Sequence, residues 1–492
     1  MEQATPGASP RPSTGDLAPG KPLKNLVEQG GIDYLPDHER KSNPLNLFFV
    51  FFGSQMSLGI IVIGILPITF GLGLWDSFTS ITVGTAIGAL IFCPAVMLGV
   101  KSGTCSPAGS VAHFGVRGRL IGSSLTLMVA IGFFALTVWT GGDALVSGIA
   151  RYYHTEVGNN VRAIGAAIIC ASTLATAYFG HEAIVASEKA ISVIVLLILA
   201  AAIIAFLPGY NWHYAGSTLV LGSFWPTWFL AVSVSAVVPI SYAGFEGDYS
   251  RHIPQKTDPK KLVLATGLGI FAGCWVALMF AAFTGVLLAD PNAPYVQGLV
   301  ARSPGWLVGL LVVAGILGSQ PQGSLCIYHA GLASQVFGVR LSRPAATILL
   351  GALCLGVVFV GIYLVDMTDM MLAFMTIMAV AVTPWLIINL VGHYFFSDEY
   401  DPYDLFAYLR PGGRGRYWYQ GGWNWRAALA WSAGVIAGLL FTHSSLIEGP
   451  LSNSFGGVTL DYVVAALLSG GLYYGLEKTG GLGSSAASSY KH

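Results

Sequence analysis

From Pro44 onward the chain is written as long apolar runs separated by short polar breaks. About 20 apolar residues suffice for a helix to cross the hydrocarbon core of a bilayer. Runs of that order fall near residues 44–72, 77–100, 120–150, 162–181, 186–207, 221–246, 260–289, 305–336, 343–365, 368–395, 426–444 and 457–475. An even number of spans puts both termini on one side. The pattern therefore predicts an all-α polytopic membrane protein of about 12 transmembrane helices. A tail over 1–43, rich in Pro, Gly and Ser up to about residue 30, precedes a ten-helix core over 44–395. One long polar loop, 396–425, separates that core from a terminal pair of helices, 426–475, and a short tail, 476–492.

Four spans carry polar groups that a lipid-facing helix avoids. The first contains Gly53-Ser54-Gln55-Met56-Ser57. The third contains Trp139 and Asp143. The sixth contains Ser233, Ser235, Pro239, Ser241, Tyr242 and Gly244, and Pro239 removes a backbone donor from the helix. The eighth contains Gly318-Ser319-Gln320-Pro321-Gln322-Gly323-Ser324. Irregular backbone at membrane depth survives only where it is buried in protein or lines a cavity. The first and sixth spans are five apart, and both look interrupted. Such a pair in corresponding places of two halves, here 44–207 and 221–395, points to an inverted-repeat transporter with its site at the breaks. Gly and Pro are also common packing and kink residues in membrane helices; that plainer explanation suits one such helix better than four.

A carboxylate inside the third span costs at least ~2.5 kcal/mol on insertion scales, so Asp143 needs a compensating reason to be there. Trp139 lies four residues earlier, on the same helical face, and Gly141-Gly142 between them leave bare backbone that a second helix or a ligand can approach. An aromatic plate, a carboxylate and open backbone suit a flat polar heterocycle. Burial disfavours the charged form of a carboxyl group, which makes Asp143 a candidate proton carrier if no cation sits beside it. A structural hydrogen bond between helices is the competing role.

Composition agrees with the pattern and narrows the class. The 492 residues are 54% hydrophobic and only 10% charged, against ~25% charged in soluble domains. With 24 basic and 24 acidic residues, no net charge points to nucleic acid. The six cysteines (93, 105, 170, 274, 326, 354) show no Cys-x-x-Cys spacing and read as small buried apolar residues. No cleaved signal peptide is expected, because the chain is polar up to Pro44. Of the Lys and Arg residues, only Arg151, Arg162 and Arg302 fall on the side opposite the N-terminus. The positive-inside rule then places both termini in the cytoplasm, across a cell inner (plasma) membrane.

Several motifs resemble those of bacterial purine/cytosine permeases, a group of the nucleobase–cation symporter family. They are Gly31-Ile32-Asp33-Tyr34-Leu35-Pro36 with Glu39-Arg40, His113-Phe114-Gly115-Val116-Arg117-Gly118-Arg119, Val138-Trp139-Thr140-Gly141-Gly142-Asp143, Gly247-Asp248-Tyr249-Ser250-Arg251-His252-Ile253-Pro254, and Tyr417-Trp418-Tyr419-Gln420-Gly421-Gly422-Trp423-Asn424. The likeness runs over roughly residues 30 to 430. It implies a five-plus-five inverted repeat of the leucine-transporter type with two extra helices. It also implies uptake of a nucleobase or related heterocycle coupled to H⁺ or Na⁺. Carried over residue by residue, Trp139 stacks the solute. Gln55, Ser241 or Tyr242, and Gln322 or Ser324 supply polar contacts. Sodium-coupled relatives carry adjacent hydroxyl residues on the eighth span opposite first-span carbonyls. Here Ser319-Gln320 stands at that place, which disfavours Na⁺ and favours a proton on Asp143.

Other residues invite plainer readings. Asp248 and Arg251 suit an ion pair or gate at the inner end of the sixth span, His181-Glu182 a solvated loop, and His329 helix packing. Trp225, Trp228 and Trp306 suit interfacial anchors. Allantoin, hydantoin, thiamine or a pyridine derivative would fit the same few side chains. A membrane-embedded enzyme is the alternative of a different class, but no metalloprotease, nucleophile-elbow or phosphate-loop motif is found. No cofactor is expected.

Overall fold

The computed structural model describes residues 32–178, 181–288, 294–338, 343–365, 367–397, 399–410, 413–444 and 447–480, without the side chains of 178, 181–189, 343–344 and 367–368. The His181-Glu182 pair and the tail before residue 32 lie outside what is described. Among the described residues the fold is entirely helical apart from two isolated β-bridges.

The chain begins with α1 (Pro44–Gly53) and α2 (Leu58–Thr69), which bend by 68° across a short break. Sequence sets each end. Asn43 caps α1 by accepting from the Asn46 amide and Pro44 opens it, while Ser57 caps α2 through the Gly59 amide. There follow α3 (Leu74–Ser102), α4 (Arg119–Tyr153), α5 (Asn159–Tyr178) and α6 (His181–Phe206). A second broken helix then starts the second half. Helix α7 (Phe224–Ser241) carries Pro239, gives way to a 3-10 turn over Tyr242–Gly244, and resumes as α8 (Glu246–Ser250). After it come α9 (Pro259–Gly285), a short α10 (Tyr295–Arg302), α11 (Gly305–Phe337), α12 (Arg343–Tyr363) and α13 (Met367–Val391). Helices α14 (Trp425–Phe441) and α15 (Asp461–Thr479) end the fold.

Each half thus opens with a broken helix, as the polar interruptions predict. Among the described residues eight helices are long and apolar enough to cross a membrane, nine with the bent α1–α2 pair. Segments Ala190–Phe206 and Trp425–Phe441 are apolar but shorter, and Asp461–Thr479 is less apolar, so twelve crossings remains the sequence-based expectation.

Close backbone approach organises the packing. Helix α4 lies along α11, α3 along α7, α1 along α9, and α14 against α15 and α13. At Gly88 a methyl group would stand 2.2 Å from the Ala236 carbonyl of α7, so only glycine admits that contact. Trp225 and Trp306 are 61% and 60% exposed near the starts of α7 and α11, as interfacial anchors require.

The loop over 396–425 folds back onto the turn between α3 and α4 instead of trailing free. Val116 N–H donates to the Tyr417 carbonyl at 3.1 Å, Arg117 N–H to Gly422 at 2.7 Å, and Asn424 N–H to Phe114 at 3.0 Å. Tyr400 joins His113 and His393 at 3.2 and 3.1 Å. Burial, with His393 adding to it, lowers the His113 pKa to about 3, so its ring is neutral. The N-terminal segment clasps the same end of the bundle: Arg40 donates to the Val100 carbonyl at 2.6 Å, Ser42 N–H to His252 at 3.0 Å, and Gln255 N–H to the Asp37 carboxylate at 2.7 Å. Motifs far apart in sequence therefore meet in pairs, 113–119 with 417–424 and 33–42 with 251–255.

Candidate solute site at the helix breaks

The two breaks face each other. Where α1 stops, Gln55 turns fully inward: its Nε2 donates to Ser54 Oγ at 2.9 Å, and its Oε1 accepts from Cys274 Sγ of α9 at 3.3 Å. Where α7 stops, the Tyr242 hydroxyl donates to Gln322 Oε1 of α11 at 2.8 Å and also faces Ser54 and Gln55. Gln322 Nε2 in turn donates to Cys326 Sγ, one turn on, at 3.6 Å. Gln55, Tyr242 and Gln322 thus form one buried polar cluster shared by both broken helices and the middle of α11. The Tyr242 ring lies 5.9 Å from Phe133 of α4, so an aromatic wall flanks the cluster.

Trp139 projects from α4 with 7% of its surface exposed, and its indole N–H lies toward the Asp143 carboxylate, one turn on.

Asp143 departs from expectation. Its two carboxylate oxygens accept from Nε and Nη2 of Arg162, both at 2.9 Å. Arg162 comes from the first turn of α5, and counting it as a charge of the far loop hid its reach into the bundle. The condition set for Asp143 as a lone proton carrier, the lack of a neighbouring cation, is not met. A two-pronged guanidinium–carboxylate pair is the strong form of such contacts, and it gives Asp143 a compensated, structural place.

Nor do Gly141 and Gly142 open the backbone to a ligand. A methyl group at Gly141 would stand 2.3 Å from Ser319 Oγ, and one at Gly142 would stand 2.6 Å from the Ala166 amide nitrogen. Helices α11 and α5 fill both gaps. The Ser319 hydroxyl donates to the Gly315 and Thr137 carbonyls at 2.6 and 3.4 Å, on the α4 side, while its neighbour Gly318 faces the Met56 carbonyl of the first break. Ser324 Oγ donates to the Thr173 carbonyl at 3.4 Å, and Ser241 Oγ to Val238 at 2.6 Å. Ser241 thereby satisfies a carbonyl near the end of α7. Gln320 turns to α5, donating to Ser172 Oγ at 2.9 Å and accepting from Thr176 at 3.0 Å.

Sequence reading placed Ser54 in the polar stretch of the first span but missed Cys274, Cys326 and Phe133. The Gln322–Cys326 spacing of one turn was a usable signal; Cys274 and Phe133 had none. All six cysteines are buried and free. Asp248 pairs with His329 Nδ1 of α11, while Arg251 donates to the Tyr328 hydroxyl at 3.2 Å and the Asp33 carbonyl at 3.5 Å. His329 is thus a partner in a buried pair as well as a packing residue. At the opposite end of the bundle an open groove of about 1150 Å³ between α4, α10 and α11 reaches Ser147, one turn beyond Asp143.

Comparison with known proteins agrees with this architecture. The sequence profile of the permeases for cytosine/purines, uracil, thiamine and allantoin matches residues 34–465. A putative purine-cytosine permease of Bacillus subtilis (strain 168) is 27% identical over 470 residues, covering 92% of this chain and 96% of that protein. Mhp1, a nucleobase-cation-symport-1 family transporter, superposes in a closed conformation with bromovinylhydantoin bound, with a TM-score of 0.73 at 16% identity over 92% of this chain and 96% of that one. Its inward-facing conformation gives 0.71 over 94% and 98%, also at 16% identity. A Na⁺-coupled sialic acid symporter shares the fold more distantly, with a TM-score of 0.57 at 12% identity over 90% and 91%. The chain belongs to the family of permeases for cytosine/purines, uracil, thiamine and allantoin.

Proposed function

We propose that this permease imports a nucleobase, cytosine or a purine, by cation symport with H⁺, across the cell inner membrane with both termini cytoplasmic. The observation that carries the reading is the cluster of Gln55, Tyr242 and Gln322 at the helix breaks. A carboxamide offers donors and an acceptor side by side, the complement of a ring N–H next to a carbonyl or amino group. These groups bond to one another, to Ser54 and to thiols. An entering heterocycle would exchange its own edge for those contacts, as Trp139 stacks on its face. The one-sided distribution of Lys and Arg supports the orientation. Ser319 bonds to carbonyls of α11 and α4, and its neighbour Gln320 turns to α5 and supplies no second hydroxyl, which supports H⁺ over Na⁺.

The superposition on Mhp1 with bromovinylhydantoin bound favours a second solute class, hydantoin or allantoin. The test is a competition screen in proteoliposomes holding the purified protein. Unlabelled cytosine, adenine, hypoxanthine, uracil, allantoin, hydantoin and thiamine are each set against labelled cytosine and labelled hypoxanthine. Inhibition led by cytosine or a purine supports the proposal; inhibition led by allantoin or hydantoin transfers it to the second class. Uptake of neither label ends the nucleobase reading.

A further inference from the structure

With Asp143 matched by Arg162, the coupling proton needs another place. One buried pair answers that need and has no part in the solute cluster. Asp248 on α8 contacts His329 Nδ1 on α11, and the two side chains are 1% and 0% exposed. Neither His329 Nε2 nor Asp248 Oδ1 has a hydrogen-bond partner. The His329 ring stacks on Phe245 at 4.3 Å and meets Tyr249 and Tyr328 edge-on at 5.3 and 5.5 Å. Phe245 is the residue that joins the break of the second broken helix to α8.

The geometry points to Asp248 and His329 as the proton-binding site of the transporter, loaded while this end of the bundle is sealed and unloaded when it opens. This rests on the proposed H⁺ symport. The physical ground is burial. With neutral His329 the pair itself carries one negative charge at a fully buried place, which is expensive. A proton taken up by the imidazole turns it into a matched imidazolium–carboxylate pair; no other bond forms or breaks. When water enters, the charged forms are solvated and the proton is released.

The pair also joins parts that must separate for such opening. Helix α8 is tied to the end of α3, where a methyl group at Gly99 would meet Ser250 Oγ at 2.0 Å, while α11 packs along α4. The titratable and charged groups around it are Glu246, Tyr249 and Arg251 on the same segment, Tyr328 beside His329, and Cys105 in the turn after α3. Glu246 accepts from Ser250 at 2.9 Å, and Arg251 donates to Tyr328. Beside that segment lies a cavity of about 10 Å³, lined by apolar residues such as Leu98, Ala243 and Trp385 together with Ser102, Glu246 and Tyr400, of a size for about one water.

Proteoliposomes with labelled cytosine and hypoxanthine test the assignment, with the membrane potential clamped at zero. Wild type is expected to accumulate solute up to about tenfold per unit of pH gradient for one proton per solute. Asp248→Asn and His329→Gln are expected to keep counterflow but to fall to a ratio of about 1. Wild-type-like accumulation by either variant, or wild-type accumulation driven only by Na⁺ at equal pH, overturns the site. Absence of any wild-type counterflow instead defeats the solute assignment. For that case, and for variants that do not insert, ¹⁵N-histidine NMR of the wild type supplies the independent reading. An imidazole coupled to a carboxylate, gaining a proton on acidification and distinct from the neutral His113, is expected. A full set of histidine signals without one overturns the proposal.

Discussion

The carboxylate of Asp143 is gripped by Nε and Nη2 of Arg162, each at 2.9 Å, with the acid almost wholly buried. A charge that by itself would be expensive in a membrane helix is thereby matched across the α4–α5 interface. Removing one partner of a buried pair leaves the other uncompensated, at a cost of about 3–5 kcal/mol. Arg162→Gln and Asp143→Asn should therefore each lower the thermal stability of the detergent-purified protein, and the double variant should be more stable than the sum of the two losses implies. Strict additivity in the melting data would mean that the pair is not coupled.

Close packing yields a second expectation. At Gly141 an added methyl group meets Ser319 Oγ at 2.3 Å. Gly141→Ala should cost about 1–3 kcal/mol, the usual range for overpacking. Pairing it with Ser319→Gly should recover part of that loss. Denaturation midpoints of the three variants check this; no recovery would place the clash elsewhere.

The polar cluster gives a third. Tyr242→Phe removes the donor from Gln322 Oε1, and a buried acceptor left without a partner costs about 1–3 kcal/mol. If the hydroxyl also serves the solute, the apparent Kd should rise by about tenfold or more in a binding assay while the protein stays folded. Unchanged affinity would confine Tyr242 to structure.

Acid stability supplies a fourth. His113 has its pKa lowered from 6.5 in the unfolded chain to about 3 by burial. Below pH 6.5 the unfolded state binds a proton that the folded state does not, so this contribution to stability is present above about 6.5 and lost as pH falls toward 3. The slope approaches about 1.4 kcal/mol per pH unit for one such group. Unfolding midpoints of wild type and His113→Gln, measured between pH 7 and 5, should converge on acidification. Parallel curves would contradict a neutral buried His113.

Much of the architecture was legible because membrane helices announce themselves by length and apolarity. The ends of α4, α9 and α11 fall within a few residues of the apolar runs, and Pro239 and the Gly53–Ser57 stretch marked both broken helices. What stayed hidden is pairing across sequence distance. Asp143 was visible as a charge needing a partner, but Arg162 had the pattern of a loop residue, and only the fold turns it inward. Asp248 and His329 stand 81 residues apart, and neither reveals the other. Gly141 and Gly142 suit a ligand and a neighbouring helix equally well by composition. The thiols of Cys274 and Cys326 look like filler until the amides of Gln55 and Gln322 are seen against them.

The proposed import turns on a flat heterocycle stacking on Trp139 of α4. Counterflow of labelled cytosine and hypoxanthine in proteoliposomes, compared between wild type, Trp139→Ala and Trp139→Phe at matched reconstitution, tests it most directly. Stacking on an aromatic face is worth about 0.5–1.5 kcal/mol beyond the area it buries, so Trp139→Ala should lose high-affinity exchange while inserting normally, and Trp139→Phe should retain part of it. Exchange by Trp139→Ala with near-wild-type affinity would contradict the claim.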